Sequence, residues 1–248
     1  QILTHYPESI AVARTITHQE AKLDKQQSEL VYVPSLAKDL LEQIAFEARE
    51  SEYIDNKSGV SARMTITSYE NLLSTAERRA LKAGYVTTSV RLSDFMGIIP
   101  AITGKVELVY EGEQEGAAVV AQHLIGDAIH TFFPAYFPKI EKLEKDIDAS
   151  PYAKILEWFF SETGFELLDD TSDDDYKKKL DAVVPLEDLI QNDINIGEAD
   201  RARLAETMKE QPNLDRMIIN EKRLRKANEG RAKNKNNIDK FLKESLKK

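Results

Sequence analysis

Apolar residues recur at three- and four-residue steps along most of the chain, and this spacing predicts helices. The first follows Pro7, a residue suited to a first helical turn, with Ile10, Ala13, Ile16 and Thr17 in helical register. Residues 24–28 are polar and read as a loop. Pro34 then opens an amphipathic helix whose stripe is Leu36, Leu40, Leu41, Ile44, Ala45 and Ala48. Met64, Thr65 and Ile66 make a short β-branched piece. Thr67 and Glu70 after it have the spacing of a capping box, in which a hydroxyl covers one free amide and the acid reaches back to another. The stripe that follows is Leu72, Leu73, Ala76, Ala80 and Leu81, and Gly84 ends it. The stripes over 36–48 and 72–81 are suited to bury each other, so this region is expected to fold independently.

Downstream, Tyr85, Val86 and Thr87 form a short extended piece, and Ser93-Asp94 caps a helix through Phe95, Met96 and Ile99. Residues 106–110 read as a short strand and 114–133 as a long helix. Pro134 and Pro138 bracket an aromatic turn. Ser150-Pro151 has the form of an N-cap and first helical residue, and Ile155, Leu156, Phe159 and Phe160 follow it. Residues 169–175 form an acidic loop. Helices near 174–183, 198–210, 213–229 and 237–246 complete the pattern, with a polar linker over 228–237. The pattern becomes shorter and more acidic beyond residue 150, which places a boundary there.

Composition narrows the class. The 248 residues are 42% hydrophobic and 31% charged, enough for a buried core. No apolar run is long enough for a membrane span, and there is no cysteine, which removes disulfide scaffolds, thiolate metal sites and cysteine nucleophiles. Both observations fit a cytoplasmic protein. The chain begins at Gln1 and runs straight into an element, as expected of a piece of a longer protein. Residues 216–248 hold 12 basic and 4 acidic side chains, so a net charge of −9 divides into +8 for the tail and −17 for the rest. A basic tail can touch nucleic acid through Lys222, Arg223, Arg225, Lys226, Arg231, Lys233 and Lys235. Phe241 is its single aromatic residue, which argues against readout by stacking. The simpler reading is a solvated helix end.

Several chemistries fail on spacing. Gly104-Lys105 invites comparison with a phosphate-binding loop, but position 99 is Ile and position 106 is Val, where Gly and a hydroxyl are required. His123, Asp127 and His130 share one helix face and could suit zinc, yet no fourth ligand follows, so a polar stripe is the plainer reading and no metal is expected. Asp170, Ser172 and Asp174 alternate as in a calcium loop, but Asp175 stands where the sharp turn needs Gly. Asp173 to Asp175 read instead as charge for the start of the helix containing Tyr176 and Leu180. A nucleophile elbow is excluded because Arg63 stands where the second Gly of Gly59-Val60-Ser61-Ala62-Arg63 would be. That same stretch ends a polar loop, 56–63, in a guanidinium beside a helix start, where unpaired amides and positive charge together favour an anion.

Gly59-Val60-Ser61-Ala62-Arg63, the alanine-containing helix over 68–83, Gly84-Tyr85-Val86-Thr87 and Ser93-Asp94-Phe95 together resemble the lid subdomain of AAA+ ATPases, closest to the MoxR and magnesium-chelatase I-subunit group. The resemblance covers about residues 1–103. The stretches 99–113 and 158–189 resemble bacterial proteins called magnesium chelatase-like, whereas the basic tail resembles nothing of the group. The resemblance implies a mainly α fold: a lid-like helical bundle with a short β element over 1–103, a linker strand and long helix packed on it over 104–149, and a helical C-terminal extension over 150–248. It implies that Gly59, Ser61 and Arg63 face the nucleotide and that Arg63 is the sensor-2 arginine contacting the γ-phosphate of ATP. ATP and magnesium would be cofactors of the full-length protein. Its partners would be the other subunits of a ring and a protein with a von Willebrand A domain. The phosphate loop, the Walker B acids, sensor 1 and the arginine finger of such enzymes are not in this sequence, so no ATPase activity is expected of this chain by itself. The alternative is a helical scaffold without enzymatic chemistry, whose acidic body and basic tail bind other proteins and in which Arg63 is surface charge.

Overall fold

Helices dominate the computed structural model, which describes residues 5–137, 150–161, 165–167 and 171–193. The mainly α fold with a short β element is what the hydrophobic pattern predicts. Ser9 caps α1 (Ile10–Glu20) by accepting the Val12 amide. Asp24 does the same for α2 (Lys25–Leu30), so the polar stretch after residue 24 is a short helix and not a loop. Strand β1 (Val31–Tyr32) leads into α3 (Ser35–Glu50), with Pro34 fixing the backbone just before it.

Helix α4 spans Arg63–Ala83 and ends at Gly84, which takes the left-handed conformation as expected. Its start corrects the sequence reading. Met64, Thr65 and Ile66 are helical, and Thr67 lies inside the helix. Glu70 closes no capping box and instead accepts the Lys22 amide at 2.9 Å. The expected cap loses because Ala62 already begins the helical backbone and Ser61 supplies the acceptors (Arg63 N to Ser61 Oγ 3.2 Å, Met64 N to Ser61 O 2.9 Å).

Strand β2 (Thr88–Ser89) pairs in parallel with β1, Val31 opposite Thr88 and Tyr32 opposite Ser89. A 3-10 helix (Leu92–Ile98) follows, capped by Arg91, whose amide bonds to Asp94. Asp94 therefore closes a cap one turn in, where the sequence pairs it with Ser93. Gly97 lies so close to α4 that a Cβ there would collide with the Thr75 side chain; glycine is what lets the two elements meet. Next come α5 (Ile99–Thr103), α6 (Tyr110–Glu115) and α7 (Ala117–Tyr136). The strand expected over 106–110 shrinks to one bridge between Ile54 and Leu108. Pro134 stands inside the last turn of α7 and does not begin a turn; it forfeits one hydrogen bond without stopping the helix. Beyond it lie α8 (Ala153–Ser161), α9 (Asp173–Asp181) and α10 (Val184–Asp193).

Two apolar cores result. The larger holds Leu41, Ile44, Leu72, Leu73, Phe95 and Ile102 from α3, α4, α5 and the 3-10 helix, together with Leu124 and Ile125 of α7. The smaller gathers Tyr152, Ile155, Tyr176, Leu180, Leu186 and Leu189 around Phe133 and Phe137 at the end of α7. Those two rings stack 4.7 Å apart. Helix α7 thus serves both cores. The helices expected over 198–210, 213–229 and 237–246, and the basic tail, lie outside the described residues.

Candidate functional site

The loop before α4 is held from several sides. Asp55 O accepts the Ser58 and Gly59 amides at 3.1 and 3.2 Å, and its Oδ1 accepts the Lys57 amide at 2.9 Å. Gly59 has φ of 71°, a conformation that disfavours any side chain, and a Cβ there would come within 2.5 Å of the Tyr6 hydroxyl oxygen. That oxygen accepts the Val60 amide at 2.9 Å. The Arg49 guanidinium lies over the Tyr6 ring, 4.4 Å from its centre. Burial pulls Arg49 below the usual arginine range, against the pull of Tyr6 and Glu42. Glu42, buried on α3, has its carboxyl pushed up by burial, which outweighs the Thr17 hydroxyl and the Arg49 charge.

Arg63 is the first residue of α4 and is exposed. Among the described residues no carboxylate forms an ion pair with it. Gly59, Ser61 and Arg63 lie along one loop and helix start, and several of the amides there are already engaged. The Val60, Arg63 and Met64 amides are taken by Tyr6 and Ser61. The site offers an anion the Arg63 guanidinium, with those three amides already spent beside it. Ser61 Oγ is engaged by the Arg63 amide. The residues present thus fit one phosphate contact and leave the rest of a nucleotide and its magnesium to be held elsewhere.

A second polar site escapes the sequence reading. Arg79, on the buried face of α4, spends its fork on Asp94 (Nε to Oδ1 3.2 Å, Nη2 to Oδ2 2.9 Å), Ser89 O (2.9 Å), Thr88 Oγ1 (2.9 Å) and Asp173 Oδ1 (2.9 Å). Arg91 is fully buried. Its Nη1 donates to Thr171 O at 2.8 Å, its Nη2 to Asp173, and its guanidinium lies 4.2 Å from the centre of the Tyr176 ring. Burial lowers Arg91, helped by the Arg79 charge and opposed by Asp173. Burial would lower Arg79 too, but the hydrogen bonds and charge of Asp94, with Asp173 behind them, overturn this and raise it. One sequence signal could have found this site: Arg79 stands three residues after Ala76 and seven after Leu72, in register with the buried stripe of α4. Asp173, read as helix-start charge, does begin α9, but Ser172 supplies the cap and Asp173 bonds across to the arginines.

Beside this cluster is a cavity of about 680 Å³ between the β1–β2 pair and the start of α9. Lys38, Lys177 and His18 line it together with Glu29, Asp173 and Asp174, so its charge selects neither cations nor anions. His123, Asp127 and His130 all lie on the exposed face of α7. Desolvation and then the Glu47 charge push the Asp127 carboxyl up, despite both histidines. Among the described residues no group of three or more such side chains is placed to hold a metal ion, and no helix is long and apolar enough to cross a membrane. Compared with protein-family models, curated proteins and solved structures, the chain has no significant match.

Proposed function

We propose that this chain is the lid and C-terminal extension of a MoxR-type, magnesium chelatase-like AAA+ ATPase, acting in the cytoplasm. Its role is to contribute Arg63 as a sensor-2 arginine at the ATP site and to pass the nucleotide state on to partner remodelling. The observation that carries this is the placement of Arg63: exposed, without a carboxylate partner among the described residues, and fixed at the head of a 21-residue helix by a loop held through its Lys57, Ser58, Gly59 and Val60 amides. A guanidinium so placed is oriented by the backbone and spends no charge on its own chain. ATP, when bound, supplies the cleavable terminal phosphate. Arg63 binds one of its oxygens and offsets the charge there, while Gly59 and Ser61 set the direction from which the side chain arrives.

Because the remaining parts of an ATPase site lie elsewhere, the chain alone turns over no ATP. In the full-length enzyme, hydrogen bonds from a charged donor are worth about 1.5–3 kcal/mol, roughly a ten- to hundredfold change in rate. Arg63→Ala is therefore expected to lower ATP turnover by that factor and leave thermal stability unchanged. Unchanged turnover would remove Arg63 from the site and favour the non-enzymatic scaffold. That second reading draws on Phe160 and Val184, large apolar side chains exposed on the C-terminal part (79% and 65%). The ring neighbours and the von Willebrand A partner belong to the first reading alone.

A further inference from the structure

The two buried arginines differ in who neutralises them. Arg79 is satisfied largely from its own side: Asp94 takes two of its N–H groups, and Thr88 and the Ser89 carbonyl take two more. Arg91 is not. The partners of its guanidinium are the Thr171 carbonyl, the Asp173 carboxylate and the Tyr176 ring, all within six residues at the start of α9. From its own side, Asp94 reaches only the Arg91 backbone amide, and Arg91 Nε is buried with no partner among the described residues. Within this cluster two cations face Asp94 alone until Asp173 arrives.

Asp173 is shaped for the vacancy. Its Oδ1 receives both Arg79 Nη1 and Arg91 Nη2, and its Oδ2 receives the Thr88 hydroxyl at 2.8 Å. As the first residue of α9 it also sits where a helix favours negative charge. The Arg91 side chain is 0% exposed and that of Asp173 is 22%, so the socket opens to solvent on the carboxylate side. Burying a cation without a counter-charge is costly, whereas a paired one is tolerated. Arg91 can therefore be buried only while α9 is docked.

We propose that Arg79, Arg91 and Thr88 form a carboxylate socket and that Asp173 seated in it is the latch that holds α9 against α4 and β2. When the latch opens, α9 is released and the Arg91 charge meets water. The inference is independent of the ATPase reading, since it uses no nucleotide and none of residues 59–63.

Hydrogen exchange on the full chain tests it. Asp173→Asn keeps the shape and removes the charge. Losing one partner of a largely buried pair should speed exchange of the α9 amides about ten- to hundredfold, with α3 and the first half of α7 unchanged. Arg91→Met, approached from the other side, should release the same amides and keeps the test alive if the first variant folds poorly. The double variant should release them by less than the sum of the two single effects, because the Arg91–Asp173 pair is lost in both. Unchanged α9 exchange in either single variant, additive effects in the double, or equal acceleration in α3 and α7 would each overturn the latch.

Discussion

Against the expectation that the region of the 36–48 and 72–81 stripes folds independently, cutting the chain after residue 103, where the resemblance places the end of the lid, should leave it unfolded. Helix α7 lies beyond that cut, yet it supplies one wall of the larger core. Leu124, Ile125 and Ile129 are 1%, 3% and 7% exposed, and Ala121 and Ala128 are buried beside them. Burying a leucine or isoleucine contributes about 1.5–3 kcal/mol, so the three large side chains alone are worth about 5–9 kcal/mol. The same cut uncovers the surfaces of α3 and α5 that pack on α7. Whole domains are stable by only about 5–15 kcal/mol. Residues 1–103 are therefore expected to show no cooperative unfolding in urea and poorly dispersed amide resonances. Residues 1–137 should regain both. Within the intact chain, Leu124→Ala should cost about 2–5 kcal/mol. A well-dispersed spectrum and a sharp transition from residues 1–103 would refute the assignment of α7 to this core.

Other expectations follow from particular contacts. Glu42→Gln should stabilise the protein at neutral pH. The folded state holds this carboxyl above the ordinary glutamate range, so its contribution is most favourable below that range and is lost as pH rises toward the raised value. Urea titrations across the acid range should show the Gln variant with a flatter fall, and identical slopes would count against a buried ionisable Glu42. Gly59→Ala should lose about 1–3 kcal/mol through its positive φ and its collision with Tyr6, and Tyr6→Phe should recover little, since the Val60 amide then lacks its acceptor. Gly97→Ala should cost about 1–3 kcal/mol by forcing the 3-10 helix off Thr75, which thermal melts would detect; a neutral effect would mean that this approach can relax.

The sequence was most legible where backbone and burial agree. The stripe Leu40–Leu41–Ile44–Ala45–Ala48 and the stop at Gly84 are local signals, and the structure keeps both. It was least legible where two local signals compete. Thr67 and Glu70 have capping-box spacing, but Ser61 accepts the first amides and the helix starts five residues earlier. Residues 106–110 have strand-like composition but find only Ile54 to pair with, through Leu108. Leu81, read as part of the stripe of α4, ends 63% exposed, whereas Ala80 beside it is fully buried. Of the candidate sites, the Gly59–Arg63 loop could be read locally because its parts are contiguous. The pairing of Arg79 and Arg91 with Asp173 could not, because it joins residues more than 80 positions apart and two of the three look like ordinary surface charges.

Helix α4 has Arg63 at one end and Arg79 near the other. Sixteen residues of α-helix separate their Cα atoms by about 24 Å along the axis. A tilt of about 5° pivoting near Arg63 would sweep Arg79 sideways by roughly 2 Å, on the order of the distance that turns a good hydrogen bond into none. The helix is thus a lever long enough for a small angular change at its exposed head to be felt as a broken bond at its buried foot.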